Sequence, residues 1–226
     1  MLFCALPIRT STREPVPRQN RVTPFGDIVA SPARGTLMGN RGCLHDASGR
    51  ITRPYRLTAW IYCLLEFKGR RRAVMSPGKY TELFFLDEAT ALAAGHRPCA
   101  ECQRGRYNEF MACWGKANPG LLSGVKPRAP VVDAVLQRER MGPGGDKVKW
   151  QAKVGQLPVG VMVELGGGKA AVVVEGGVRH WSPKGYGSLV MAEKNLEVEV
   201  LVPKSVVAAI GLGYFPNFMT SVPIDS

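Results

Sequence analysis

Apolar and polar positions along this chain change rhythm twice, and the changes outline its elements. Residues 57–67, from Leu57 through Trp60, Tyr62 and Cys63 to Phe67, are almost continuously apolar, which predicts a buried strand. The charged turn Lys68-Gly69-Arg70-Arg71-Arg72 predicts a reversal, with further strands over 73–75 and 80–86. Asp87 then stands where a helix N-cap is needed. A helix over 88–94 follows, and Gly95 predicts its stop because glycine enters the left-handed region at little cost. A second helix starts near Cys102. Its Tyr107, Phe110, Met111 and Trp114 recur at helical spacing as a buried stripe, and Cys113 beside them reads as a core thiol. A third helix over 130–141 points Val131, Val132, Val135 and Leu136 inward and Arg138 and Arg140 outward, before Gly142-Pro143-Gly144-Gly145 ends it.

Beyond residue 147 the rhythm shortens. Apolar runs over 157–165, 170–175, 178–181 and 196–202, separated by glycines, predict a small antiparallel sheet. A last helix over 205–210 follows, and Tyr214-Phe215-Pro216 is expected to fold back over that sheet. The fold class is therefore α+β. Four segments are expected: a flexible basic arm over 1–24, a metal-binding module over 25–118, a linker with one helix over 119–146, and a small β-rich domain over 147–226.

Charge and cysteine usage sharpen this outline. The chain of 226 residues carries a net charge of +12, which favours a polyanionic partner over a neutral small molecule. The excess sits in the first half, where residues 1–120 hold 18 Lys+Arg against 9 Asp+Glu. All six cysteines, at 4, 43, 63, 99, 102 and 113, lie in that half too. The opening Met1-Leu2-Phe3-Cys4-Ala5 lacks the charged start of a secretory signal. No run reaches the roughly 18 apolar residues of a membrane span, so no membrane partner is expected. The chain reads as cytoplasmic, a compartment in which paired thiols indicate a metal rather than a disulfide.

The strongest chemical signal is Cys99-Ala100-Glu101-Cys102 at the start of a helix. Two thiolates at that spacing point at a common centre and suit tetrahedral Zn²⁺. The fourfold set needs two more donors. Cys43 and His45, one residue apart on a glycine-flanked turn, are the preferred pair, and Cys63 is the rival, read as a buried strand thiol. A knuckle, a hairpin and a helix carrying two thiolates would form a treble-clef-like module, with a zinc that is structural rather than catalytic.

The run from Phe84-Phe85-Leu86-Asp87-Glu88 to Gly95-His96-Arg97-Pro98-Cys99-Ala100-Glu101-Cys102-Gln103 resembles part of the metal-binding domain of Ada-type methylphosphotriester repair proteins. The likeness covers residues 73–104 and rests on an aromatic strand, an Ala-rich helix with a glycine stop, and Arg-Pro-Cys-x-x-Cys in the same order. It implies a zinc held by four cysteines, DNA phosphates gripped nearby, and one zinc thiolate that takes a methyl group from a phosphotriester. Cys99 and Cys102 match the family's second ligand pair, and Arg97 an arginine of its motif. The first pair, C-x-x-x-C, has no counterpart in the corresponding stretch, residues 68–72, so the methyl acceptor is not carried over.

These readings converge on a zinc-binding protein that contacts nucleic acid, DNA rather than RNA, in repair or in recognition of modified DNA. Arg41, Lys68, Arg70, Arg71, Arg72, Arg97, Arg104 and Arg106 are the expected phosphate contacts, although a solvated hairpin tip explains the 68–72 run equally well. Two other classes stay open. One is a ββα-metal nuclease using His45, Asp46 and Asn108, and the other is a zinc-finger assembly protein without nucleic acid.

Overall fold

A computed structural model describes residues 16–70, 73–122, 124 and 126–219. Its first sheet contains β1 (Gln19–Val22), β2 (Ile28–Ala30), β3 (Leu37–Asn40), β4 (Ile61–Leu64), β5 (Leu83–Phe85) and β6 (Arg97–Pro98), in the order β2-β1-β5-β3-β4-β6. This sheet is mixed, since β1 pairs parallel with β5 and β4 parallel with β6. The second sheet is antiparallel throughout. It contains β7 (Trp150–Lys153), β8 (Met162–Glu164), β9 (Ala170–Val174), β10 (Gly177–Ser182), β11 (Gly185–Met191) and β12 (Glu197–Val200), in the order β11-β10-β9-β8-β12-β7. Four helices complete the α+β architecture: α1 (Glu88–Ala93), α2 (Arg104–Ala117), α3 (Ala129–Arg140) and α4 (Lys204–Gly211).

Helix α1 carries the local signals that predicted it. The Asp87 carboxylate accepts the Thr90 N–H at 2.9 Å. At the other end Gly95 has φ 83°, its N–H donates to Leu92 O, and the His96 N–H donates to Ala91 O. These two bonds satisfy carbonyls that the last turn would leave unpaired. Gly95 is required twice over, because a Cβ there would lie 2.6 Å from the Arg140 side chain. All six residues of α1 are buried, and the helix touches both β5 and β8. Its alanines keep it slim enough to lie between the two sheets.

One contiguous apolar core runs through both halves of the chain, from Val22, Phe85 and Trp114 to Val172, Val200 and Tyr214. Polar bonds cross between the halves as well. Trp181 Nε1 donates to Thr90 Oγ1 at 3.1 Å, and Asn118 Nδ2 donates to Ser205 O at 3.0 Å.

Several elements differ from expectation. The apolar run over 57–67 yields only the four residues of β4, and no strand forms over 73–75, where Met75 takes φ 56° and donates its N–H to Glu82. Strand β4 pairs instead with β3 and β6, partners more remote in sequence than a local hairpin would use. Arg140 turns inward and is 1% exposed. Tyr214 docks on the first half, where its hydroxyl meets Tyr62 and Glu88, while Phe215 stays exposed.

The Glu88 carboxylate is buried, 3% exposed. It accepts from the Tyr62 and Tyr214 hydroxyls, from Arg106 Nη2 at 2.7 Å and from the Asn217 N–H at 2.8 Å. Removing one member of such a set leaves a buried charge without its counter-charge. Glu88→Ala should therefore destabilise the protein by about 3–5 kcal/mol, read as a fall in the urea midpoint. A shift below about 1 kcal/mol would show that the set is solvated rather than a structural clamp.

Candidate metal centre

Two short strands and one turn gather three of the cysteines. Strands β4 and β6 run parallel, with Tyr62 opposite Pro98, and the Cys99 N–H donates to Tyr62 O at 3.0 Å. This register sets Cys63 at the end of one strand beside Cys99 just after the other. The chain then turns into α2, with the Gln103 N–H donating to Cys99 O at 3.2 Å, and that turn carries Cys102. The sulfurs of Cys63, Cys99 and Cys102 all lie within 4.8 Å of one another. A tetrahedral zinc with bonds of about 2.3 Å sets its sulfur ligands roughly 3.8 Å apart, so the donor set fits such an ion after a small contraction. Cys99 is buried and the other two are half-buried.

The electrostatics favour a thiolate at the centre. A hydrogen bond from the Cys63 thiol and backbone N–H groups of Cys102 and Glu101 draw Cys99 down to about 5, against the opposing effect of burial. Cys63 is pushed up, first by that bond to Cys99 and then by burial. Burial raises Cys102, while the Leu64 N–H acts in the opposite direction. The three sulfurs therefore share their protons, and a bound cation would displace those that remain. They line a cavity of about 490 Å³ that Phe67, Arg70, Tyr80 and Glu101 also border. Three donors among the described residues would leave one tetrahedral position for a further ligand.

Cys43 and His45 do not join this cluster among the described residues. Both His45 ring nitrogens are engaged, Nδ1 at 2.6 Å from Thr81 Oγ1 and Nε2 at 3.2 Å from Ser76 O. The Cys43 thiol lies 3.8 Å from His45 O. The physical reason is a local staple. The Thr81 N–H donates to Gly42 O at 3.0 Å and the Leu44 N–H to Thr81 Oγ1 at 2.9 Å, which ties the 42–45 turn to the segment before β5. The same contacts occupy the histidine that a ββα-metal nuclease would need as its base.

Cys63 is the donor that sequence reasoning set aside. A signal for it existed in the alternation along β4. Trp60 and Tyr62 face the core at 1% and 0% exposure, so Cys63 must face the other way. Cys113 packs against the apolar core, as expected.

The predicted phosphate contacts divide. Arg41 is 2% exposed and stacks on Trp60, its guanidinium 4.0 Å from the ring centroid. Arg97 is buried and bonds both carboxylate oxygens of Asp133, at 2.7 and 2.8 Å. Arg106 bonds Glu88, Glu109 and Phe215 O. These three hold the fold and are not a free basic surface. Lys68, Arg70 and Arg104 are exposed, with Arg70 paired to Glu101 at 2.6 Å. Arg71 and Arg72 lie outside the described residues.

Cobalt(II) titration separates the two ligand sets. Cys63→Ser should abolish most of the sulfur-to-cobalt absorption of the full chain, and Cys43→Ser should leave it unchanged. The reverse result would return the site to the Cys43 knuckle. No family model matches this chain, and comparison with curated proteins and with solved structures finds no match either.

Proposed function

We propose that this chain is a zinc-binding protein in which Cys63, Cys99 and Cys102 hold the ion and the basic rim around them contacts nucleic acid, DNA in preference to RNA. The proximity of the three sulfurs carries this reading. Zinc is the reading chosen among first-row metals because soft thiolates in a small tetrahedral set suit it. When bound, the ion would keep the thiolates deprotonated and electron-rich. The chain's own part is to orient them. Ladder pairing of β4 with β6 places two, and the turn into α2 places the third. Strands followed by a ligand-bearing turn and helix support the treble-clef-like description.

The nucleic-acid part rests on charge. The chain carries +12, and Lys68, Arg70 and Arg104 are exposed close in sequence to the thiolates. Phosphate contacts of this kind release counterions and make binding steeply salt-dependent. Recognition of alkylated or otherwise modified DNA is the finer form of the proposal. An electron-rich thiolate beside an open cavity is suited to an electrophilic methyl group.

The test uses full-length zinc-loaded protein and a labelled duplex at several salt concentrations. Binding should weaken steeply with salt, and the joint Lys68→Ala, Arg70→Ala, Arg104→Ala variant should lower the logarithmic slope by about 2–3. Undetectable binding at low salt, or an unchanged slope in the variant, would overturn the nucleic-acid reading while leaving the zinc reading to its own metal analysis. Exposure to DNA carrying methyl phosphotriesters followed by intact mass analysis reads the finer proposal: a thiolate sulfur would bond the methyl carbon as the methyl–oxygen bond breaks and the phosphodiester anion leaves, giving one methyl increment that is lost in Cys63→Ser.

A further inference from the structure

A second cavity, of about 520 Å³, shares no lining residue with the cysteine cavity. It opens between the turn after β1, the end of β3, the 51–54 segment and the connection from α3 to β7. Four cations line it, Arg41, Arg53, Arg140 and Lys147, against two acids, Asp27 and Asp146. Among the described residues no ion pair joins any of these six.

The cations are held by neutral groups. Arg41 donates Nε to His96 Nε2 at 3.3 Å and Nη1 to Gly26 O at 2.9 Å. Its Nη2 is buried with no hydrogen-bond partner. Arg140 donates to Gly95 O at 2.8 Å, to Thr58 O at 2.5 Å and to Gln137 Oε1. Lys147 Nζ donates to Ala93 O at 2.7 Å. Both guanidinium groups stack on Trp60, with centroid distances of 4.0 and 3.9 Å. Each is 2% exposed or less, so the pair is a fixed, desolvated positive wall.

Such an arrangement is unfavourable on its own. A buried charge needs a counter-charge or a full set of hydrogen bonds; Asp27 acts on Arg41 and Lys147 without forming an ion pair, and one guanidinium nitrogen has no hydrogen-bond partner. Burial holds Arg41 and Arg140 down to about 9 and Lys147 to about 7, and Arg41 weighs further on Lys147. Burial and the two arginines keep His96 neutral, so it accepts from Arg41 rather than adding charge. An anion in the cavity would supply what the wall lacks. The size is that of a pocket for a small organic molecule, larger than a bare inorganic ion requires. Phe25, Ile51 and Met141 give part of the lining an apolar character suited to such a body.

We infer that this cavity is a binding site for the anionic group, phosphate or carboxylate, of a small organic molecule, with Arg41 Nη2 as the central donor and Lys147 and Arg53 beside it. Phosphate and carboxylate both match a guanidinium with free N–H groups. The site is independent of the metal centre and does not rest on the nucleic-acid proposal.

Thermal shift and calorimetry on the full chain test it, with adenosine monophosphate, benzoate and adenosine as probes at millimolar concentration and matched ionic strength. Stabilisation by adenosine monophosphate but not benzoate assigns a phosphate, and the opposite pattern assigns a carboxylate. Adenosine should do nothing. Arg41→Met is the direct variant. Because Arg41 also packs the core, Lys147→Met and Arg53→Ala serve beside it. Each should leave the ligand-free protein folded and weaken anion binding by roughly tenfold or more, the worth of a charged hydrogen bond. Equal stabilisation by adenosine, no effect of either anion, or unchanged binding in both Lys147→Met and Arg53→Ala would overturn the assignment.

Discussion

A carboxylate cannot stay charged inside a protein unless its surroundings come to it, and Glu88 imposes that condition on this fold. Tyr62 reaches it from β4, Arg106 from α2, and Tyr214 and Asn217 from the segment after α4. Four parts of the chain, spread from Tyr62 to Asn217, must therefore meet at one point. The same condition governs the three-cysteine cluster. Tyr62 immediately precedes Cys63, and Arg106 lies one helical turn beyond Cys102. Fixing Tyr62 and Arg106 on a shared carboxylate fixes the two supports that carry the sulfurs.

Arginine chemistry explains why a net charge of +12 overstates the free basic surface. A guanidinium offers five donors in a rigid plane and stacks on aromatic rings, so it can serve as a structural bolt. Arg97 locks β6 to α3 through Asp133, Arg106 closes the Glu88 cluster, and Arg41 and Arg140 stack on Trp60. Each lies among carbonyls, carboxylates or aromatic faces drawn from distant segments. At the cationic wall by Trp60 this use of arginine leaves Arg41 Nη2 unmatched, and a cavity borders the same residue. The two cavities thus differ in kind, one bordered by soft sulfur and the other by hard positive charge.

Local physics made much of the framework legible along the chain. The Asp87 cap, the Gly95 stop, the apolar stripe of α2 and the glycine-broken strands of the second sheet all depend on neighbours within a few residues, and all stand near where they were expected. Strands β7 and β11 carried weaker signals, because β7 is only four residues long with no fully buried position, and glycines and a run of exposed positions break the alternation of β11. Cys99 and Cys102 were legible as donors for the same local reason, since two residues of separation already bring their sulfurs together.

What joins those elements depended on partners remote in sequence. The third sulfur comes from Cys63 because β4 pairs parallel with β6 across more than thirty residues, while His45 is consumed by Thr81 and Ser76. The inward turn of Arg140 and the burial of Arg41 likewise go with the stacking of both on Trp60. The sequence by itself determined the four helices, several strands of the second sheet, the α+β class and one pair of neighbouring cysteines, because each depends on interactions between near neighbours. Only the tertiary structure decided which donor completes the sulfur cluster and which arginines face water, because strand pairing and burial weigh every segment of the chain against every other.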